Sequence, residues 1–143
     1  MRLLMVSLVI ASSAAMAEST PPALAQALLE NEVAKAPANV VLCIKVDNRD
    51  ATDGLLAVLG RHKKEVAVAS KCAADIAGSY EKKSKRPAMF LSVSGYRRIS
   101  STRGEVRVNT YRNGKWASYE KLEVEQDGAG SWRVVAVKER TEA

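Results

Sequence analysis

The sequence predicts an α+β fold in which two helices pack on a curved antiparallel sheet that ends in a four-stranded meander. The helices are predicted by apolar residues at helical spacing in 23–35, which is rich in Ala, Leu, Glu and Gln, and again in 52–63. The meander is predicted from Pro87 onward, where β-branched and aromatic segments alternate with turn-forming Gly, Asn, Ser and Asp. Helices followed by a run of strands are typical of an α+β domain.

The start of the chain has the pattern of a secretory signal peptide. Arg2 supplies one positive charge, an apolar run follows, and Ala15 and Ala17 provide the small side chains that signal peptidase requires. The apolar run is too short for a membrane-spanning helix, which needs about 20 residues. We therefore expect 1–17 to be removed before Glu18, and the protein to be periplasmic or secreted.

The expected mature chain, 18–143, is long enough for a single domain with its own core. Removal of Arg2 lowers the formal net charge of the full sequence, +6, by one. A basic surface favours an unknown protein or an anionic small-molecule or cell-wall ligand as the partner. No later segment is apolar enough to span a bilayer, and no motif for a cofactor is present.

Two cysteines, Cys43 and Cys72, are the only ones in the sequence. In a small exported domain such a pair is expected to form a disulfide. Closing a loop of about 30 residues stabilises the fold by roughly 3–4 kcal/mol in the chain-entropy model. The bond also removes the only candidate thiol nucleophile.

The first half of the mature chain is expected to contain a compact β-α-β unit. A strand over 40–46, a helix over 52–63 and a short strand over 66–69 follow the first helix. Asp50 or Thr52 is the expected N-cap of the second helix. The apolar face of the first helix is expected to consist of Leu24, Ala25, Leu28, Leu29 and Val33.

In the meander, Asn113-Gly114 is the strongest short signal for a hairpin, because both residues accept the positive φ of a type I′ turn. A two-residue turn would place Tyr111 opposite Trp116 and Arg107 opposite Glu120.

This register puts Leu122 and Val124 on the face opposite Val106 and Val108. A one-residue shift removes the conflict, so we expect a β-bulge between Tyr119 and Leu122.

The order of elements, with Tyr111, Trp116, Gly128 and Trp132 in 106–137, resembles the small NTF2-like and cystatin-like proteins with a cone-shaped fold. The resemblance covers about half of the mature chain and contains no catalytic motif. It implies a shape that hosts enzymes and binding proteins alike. One alternative is therefore an NTF2-like enzyme that uses an acid inside the cone.

A second resemblance concerns Ser94-Gly95-Tyr96, which is similar to the Ser-Gly-x-x-Tyr loop of periplasmic lysozyme inhibitors. That family is an eight-stranded barrel, whereas this chain opens with two predicted helices. The resemblance keeps open a further alternative, an inhibitor or immunity protein that acts against a cell-wall enzyme or a toxin.

No catalytic or metal-binding set is visible in the sequence. His62 is the single histidine and lies among Arg and Lys residues, which disfavour a metal there. Asp47, Asp50 and Asp53 lack the spacing of a calcium loop and are better explained as turn and capping residues. We expect no metal, no cofactor and no enzymatic activity.

The candidate binding residues lie in the meander, where basic and aromatic side chains are interleaved. Export argues against nucleic acid as the partner, and nearby glutamates favour a salt-bridged outer face. The favoured hypothesis is a small exported non-enzymatic binding or interaction protein. Its expected contact residues, on the concave side of the sheet, are Tyr96, Arg98, Arg107, Tyr111, Trp116 and Tyr119.

Overall fold

The computed structural model describes residues 18–143, and the predicted signal peptide, 1–17, lies outside the described residues. The helices are α1 (Pro22–Lys35) and α2 (Asp53–Leu59), with 3₁₀ turns at Gly60–His62 and Ala69–Lys71. The strands are β1 (Val41–Val46), β2 (Arg49–Asp50), β3 (Val66–Val68), β4 (Cys72–Asp75), β5 (Gly78–Glu81), β6 (Ala88–Arg98), β7 (Arg103–Asn113), β8 (Trp116–Gln126) and β9 (Trp132–Glu142).

The main sheet has the order β2-β1-β6-β7-β8-β9, and β3 also pairs with β1. The last four strands form the expected antiparallel meander, and the α+β class is confirmed. Two pairings are parallel, β1 with β3 and β1 with β6. The β1–β3 pairing confirms the β-α-β unit, because α2 supplies the crossover that a parallel pair requires.

Helix α1 packs on one face of the sheet. Its buried residues are the five predicted ones, Leu24, Ala25, Leu28, Leu29 and Val33. Pro22 occupies the first turn, where its missing N–H costs nothing. At the other end, Lys64 donates a hydrogen bond of 3.0 Å from Nζ to the carbonyl oxygen of Val33. This contact satisfies one of the carbonyl groups that a helix C-terminus leaves unpaired.

Helix α2 is shorter than the predicted helix over 52–63. Thr52 is the N-cap, and its Oγ1 accepts a hydrogen bond of 3.2 Å from the backbone N–H of Leu55. The helix changes to a 3₁₀ turn at Gly60, a poor helix former, and Lys63 then adopts a left-handed φ of 57°.

The predicted disulfide is present between Cys43 and Cys72. It lies on the sheet face opposite α1, in a small second cluster with Val41, Ala88 and the partly buried Phe90. It attaches the hairpin β4–β5, which the sequence did not predict, to the central strand β1. That hairpin therefore covers one end of the second face.

The β7–β8 hairpin differs from the expected one. Neither residue of Asn113-Gly114 has a positive φ, and Asn113 itself pairs with Trp116. Tyr111 pairs with Ala117, so the one-residue shift occurs beside the turn. The predictions of a type I′ turn there and of a bulge between Tyr119 and Leu122 in the β7–β8 pairing are wrong. A register shift between Lys121 and Leu122 does occur, but in the pairing of β8 with β9.

The two-residue turn with left-handed residues occurs instead between β1 and β2. Asp47 and Asn48 have φ values of 52° and 61°, and they connect the paired residues Val46 and Arg49. Asx residues tolerate this conformation better than other side chains. The β1–β2 register is thus set by the turn at Asp47 and Asn48. From the sequence, Asp47 was expected only to be a turn or capping residue.

A second irregularity lies in β6, between Ser94 and Arg97. Two residues of β6, Gly95 and Tyr96, lie opposite one residue of β7, which is a β-bulge. Gly95 has a φ of 66°, a conformation that glycine adopts without strain. The bulge turns Tyr96 towards the core, where its ring meets Trp132 edge-on at 6.2 Å between centroids.

We predict that Gly104→Ala destabilises the protein. A Cβ at Gly104 would lie 2.5 Å from Cε2 of Tyr96, so the ring or the strand must move. Overpacking of this kind costs about 1–3 kcal/mol of unfolding free energy, which urea denaturation measures. Gly128→Ala is the matched control, because nothing lies within 4 Å of its Cβ position. Equal unfolding free energies for the two variants would contradict the described packing of Tyr96.

Candidate functional site

The two faces of the sheet differ in what covers them. Along β7 the even-numbered residues Val106 and Val108 are buried in the main core under the helices. The odd-numbered residues Arg107, Asn109 and Tyr111 point to the other face, since successive side chains of a strand alternate. Beyond the disulfide cluster, no described element packs on that second face, which we call the open face.

Side chains on the open face form rows across the strands. One row contains Phe90 of β6, Tyr111 of β7 and Ala117 of β8. The next rows lie further from the disulfide. They are Lys45, Ser92, Asn109 and Tyr119, followed by Ser94, Arg107 and Lys121. Along the strands the face therefore changes from aromatic to polar and then to cationic.

The far end of the open face is a network of ion pairs. Arg97 contacts Glu105 at 2.9 Å, and Arg103 contacts Glu125 at 2.9 Å. Further pairs link Lys121 to Glu105, Arg103 and Lys138 to Glu123, and Arg133 to Glu125. The salt-bridged outer face expected from the sequence is therefore present, although Arg107 faces Lys121 and not Glu120.

These ion pairs lower the pKa values of two of the carboxyl groups that they contain. The hydrogen bond from Arg97 lowers the pKa of Glu105, and the charge of Lys121 adds to the effect. Hydrogen bonds from Arg133 and Arg103 lower the pKa of Glu125. Both carboxylates are thus held in their charged form and committed to structure.

Arg107 has a different environment from its neighbours. Among the described residues it forms no ion pair, whereas Arg97 and Arg103 do. Its aliphatic part passes over Gly95, where an added Cβ would lie 3.2 Å from Cδ of Arg107. The glycine of the β6 bulge therefore leaves room for this side chain. The guanidinium is exposed and available to an anion from solution.

The six predicted contact residues do not lie on one surface. Arg107, Tyr111 and Tyr119 lie on the open face, as the cross-strand register requires. Tyr96 is only 6% exposed and belongs to the core on the helix side, because the bulge turns it inward. Burial, followed by the charge of Glu18, raises the pKa of its hydroxyl. Its expected place on a contact surface is wrong.

The two other predicted residues lie at turns. Arg98 is exposed, and its Nε donates a hydrogen bond of 3.0 Å to the carbonyl oxygen of Ser100. Trp116 is 43% exposed at the β7–β8 turn, with the guanidinium of Arg112 5.1 Å from its ring centroid.

Lys45, Ser92 and Asn109 also share the open face, although they were not among the predicted contact residues. The period-two alternation of β7 would have indicated Asn109, but Lys45 and Ser92 become neighbours only through strand pairing. We call the combined set the open-face patch. It consists of Lys45, Arg107, Asn109, Tyr111 and Tyr119, which surround Ser92, itself only 7% exposed.

Two shallow depressions mark this patch, each of about 300 Å³. One has polar groups from Lys45, Ser92 and Asn109 beside the rings of Phe90 and Tyr111. The other is formed around Arg107, with Lys121 and the Arg97–Glu105 pair at its edge.

A larger cavity of 680 Å³ lies where the N-terminal residues meet the β1–β2 turn and the start of α2. Two of its acidic residues, Asp47 and Asp50, form hydrogen bonds within the fold. Asp47 accepts hydrogen bonds from the backbone N–H and the hydroxyl of Thr20, and Asp50 accepts two from Ser70.

Carboxyl groups in the described part of the chain all keep some exposure to solvent. The pKa shifts found for Asp50, Glu65, Glu105 and Glu125 are all downward, through hydrogen bonds from Ser70, Arg86, Arg97 and Arg133 respectively. A general acid at neutral pH needs a raised pKa instead. Within 18–143, no three His, Cys, Asp or Glu residues come together as metal ligands.

Neither α1 nor α2 has the length and apolar character that crossing a membrane requires, and 18–143 contain no other helix long enough. Comparison of the chain with protein-family models, with curated proteins and with solved structures finds no match. The charges, rings and hydrogen-bonding groups of the patch are therefore the basis for assigning it a role.

We predict that the ion-pair network makes the protein less stable in acid. Because the folded-state pKa values of Glu105 and Glu125 lie below the ordinary 4.5, their charges stabilise the fold above pH 4.5. This contribution is lost as the pH falls below 4.5 and through the lowered values. Thermal unfolding midpoints between neutral pH and pH 3 should fall less steeply for Glu105→Gln/Glu125→Gln than for the wild type.

Glu139→Gln is the control for this experiment, because Glu139 forms no ion pair within the described residues. It should leave the pH dependence unchanged. Parallel curves for the wild type and the double variant would contradict the role of the network.

Proposed function

We propose that this protein is a small exported, non-enzymatic binding protein, and that the open-face patch is its contact surface. The single observation that carries the proposal is the environment of Arg107. Its exposed guanidinium has no carboxylate partner among the described residues and lies on the same face as the exposed ring of Tyr111. An unpaired cation on the same face as an exposed aromatic ring, two rows away along β7, offers an anionic partner two separate contacts.

Support for export comes from two features. A buried disulfide joins Cys43 of β1 to Cys72 of β4, and such bonds persist in oxidising compartments. The chain also begins with the pattern of a signal peptide. Together they favour a periplasmic or secreted location for the mature protein.

The exposure of the carboxylates favours binding over catalysis. An enzyme that uses an acid in a cone-shaped pocket needs a carboxyl group withdrawn from water, and every acid of 18–143 keeps some exposure to solvent. Partner recognition needs no such group, only a surface of suitable charge and shape.

We predict that the patch governs what the protein retains from an exported-protein and cell-wall fraction. The wild type, Arg107→Ala/Tyr111→Ala and the control Arg61→Ala/Val137→Ala would each be immobilised, and the retained components quantified by mass spectrometry. The control removes one cation and one exposed apolar side chain away from the patch. Loss of a charge-assisted contact costs roughly 1.5–3 kcal/mol, so retention by the patch variant should fall about tenfold or more.

Retention of a component by the wild type and the control, but not by the patch variant, supports the proposal. Equal retention by all three proteins, or none by the wild type, contradicts it.

We also predict that expression of the full sequence in a bacterium with a secretory pathway yields a periplasmic or secreted protein that begins at Glu18. Its mass before reduction should be lower than its reduced mass by two hydrogen atoms, because Cys43 and Cys72 are joined. An intact Met1 or two free thiols in the exported fraction would contradict this prediction.

A further inference from the structure

The open-face patch combines an aromatic surface, uncharged hydrogen-bonding groups and two basic side chains, Lys45 and Arg107, that form no ion pair within 18–143. Resting on the proposed function, we infer that the patch binds a linear anionic polysaccharide. In this arrangement Tyr111 stacks against a sugar ring, and Arg107 binds the carboxylate or phosphate groups of the chain.

The charge of the patch requires an anion. Arg107 and Lys45 form no ion pairs within 18–143, and Lys121 shares the carboxylate of Glu105 with Arg97. Glu105 is the acid in ion-pair contact with two of these four basic groups, and Glu139 lies opposite Lys121 in β9. A guanidinium presents parallel N–H groups that match the two oxygens of a carboxylate or phosphate.

The aromatic end of the patch provides a flat surface. Phe90 and Tyr111 are direct cross-strand neighbours, and Tyr111 is 36% exposed. A tyrosine offers an apolar ring face together with a hydrogen-bonding hydroxyl group. The C–H face of a sugar ring can stack on the aromatic ring, and the hydroxyl groups of the sugar can form hydrogen bonds with the tyrosine hydroxyl.

The spacing along β7 suits a chain and not a single small anion. Tyr111, Asn109 and Arg107 are alternate residues of one strand, so they project at intervals of about 7 Å. A polymer that lies along β7 meets a ring, an amide and a guanidinium in turn. The two depressions of about 300 Å³ lie along the same path.

The patch is poorly suited to a folded protein partner. A stable protein interface buries about 800 Å² on each side around an apolar centre. Of the large apolar side chains that are well exposed in 18–143, Tyr111 is the one on the open-face patch. The remaining surface is polar, as hydroxyl-rich ligands require.

The test is calorimetric titration of the protein, purified after expression of its full sequence, with defined polymers. The probes are an oligogalacturonate for carboxylate, phosphomannan for phosphate, neutral mannan and poly-glutamate. The variants are Arg107→Ala, Arg107→Lys, Tyr111→Phe and Tyr111→Ala, with Arg61→Ala as the control. Circular dichroism verifies that each variant is folded.

We expect at least one anionic polysaccharide to bind ten times more tightly than neutral mannan, with an affinity that falls as salt is added. Arg107→Ala and Tyr111→Ala should each weaken it about tenfold, Arg107→Lys and Tyr111→Phe less, and Arg61→Ala hardly at all. The preferred probe identifies carboxylate or phosphate as the bound group.

Equal binding of neutral mannan, equal or tighter binding of poly-glutamate, or no binding of any anionic polysaccharide would each overturn the inference. In the last case, patch-dependent retention of another component from the extract would leave the proposed function standing. Failure of both experiments would remove both proposals.

Discussion

The alternation of side chains along β7 is the constraint on which both the core and the open face depend. Val106 and Val108 are directed under the helices, so Arg107, Asn109 and Tyr111 must point the opposite way. α1 buries its leucines on only one face of the sheet. The packing that buries the valines of β7 under the helices therefore leaves the alternate residues of the strand exposed on the open face.

The β6 bulge interrupts this alternation and reverses the direction of one side chain, that of Tyr96. Regular pairing would place Tyr96 on the same face as Ser94 and Ser92, which lie outward. The extra residue at Gly95 turns the ring into the core instead, where it packs over Gly104 and against Trp132. The same glycine lets Arg107 cross the strand. One backbone irregularity thus completes the core and shapes the patch.

Electrostatic pairing divides the open face into two parts. The glutamates of β7 and β8 neutralise Arg97, Arg103 and Arg133, and these pairs contribute modestly to stability because they are exposed to solvent. Arg107 lies one row away, opposite Lys121, and forms no ion pair among the described residues. This difference is the reason that Arg107 is proposed as the contact for an anionic partner.

Much of the fold was predictable from local signals. The helical spacing of Leu24, Leu28 and Leu29 identified the buried face of α1, and Thr52 marked the start of α2. The hairpin β4–β5 and the parallel pairing of β1 with β6 could not be predicted. They depend on contacts between distant segments, which short-range periodicity does not encode.

For the candidate site, composition and alternation indicated Arg107, Tyr111 and Tyr119, but not which neighbours join them. The sequence by itself determined the α+β class, the cysteine pair that forms the disulfide and the interleaving of basic with aromatic residues. Only the tertiary structure decided which of those residues share a face. Strand register and bulges, set by the packing of the whole sheet, determine whether a side chain such as Tyr96 or Arg107 points inward or outward.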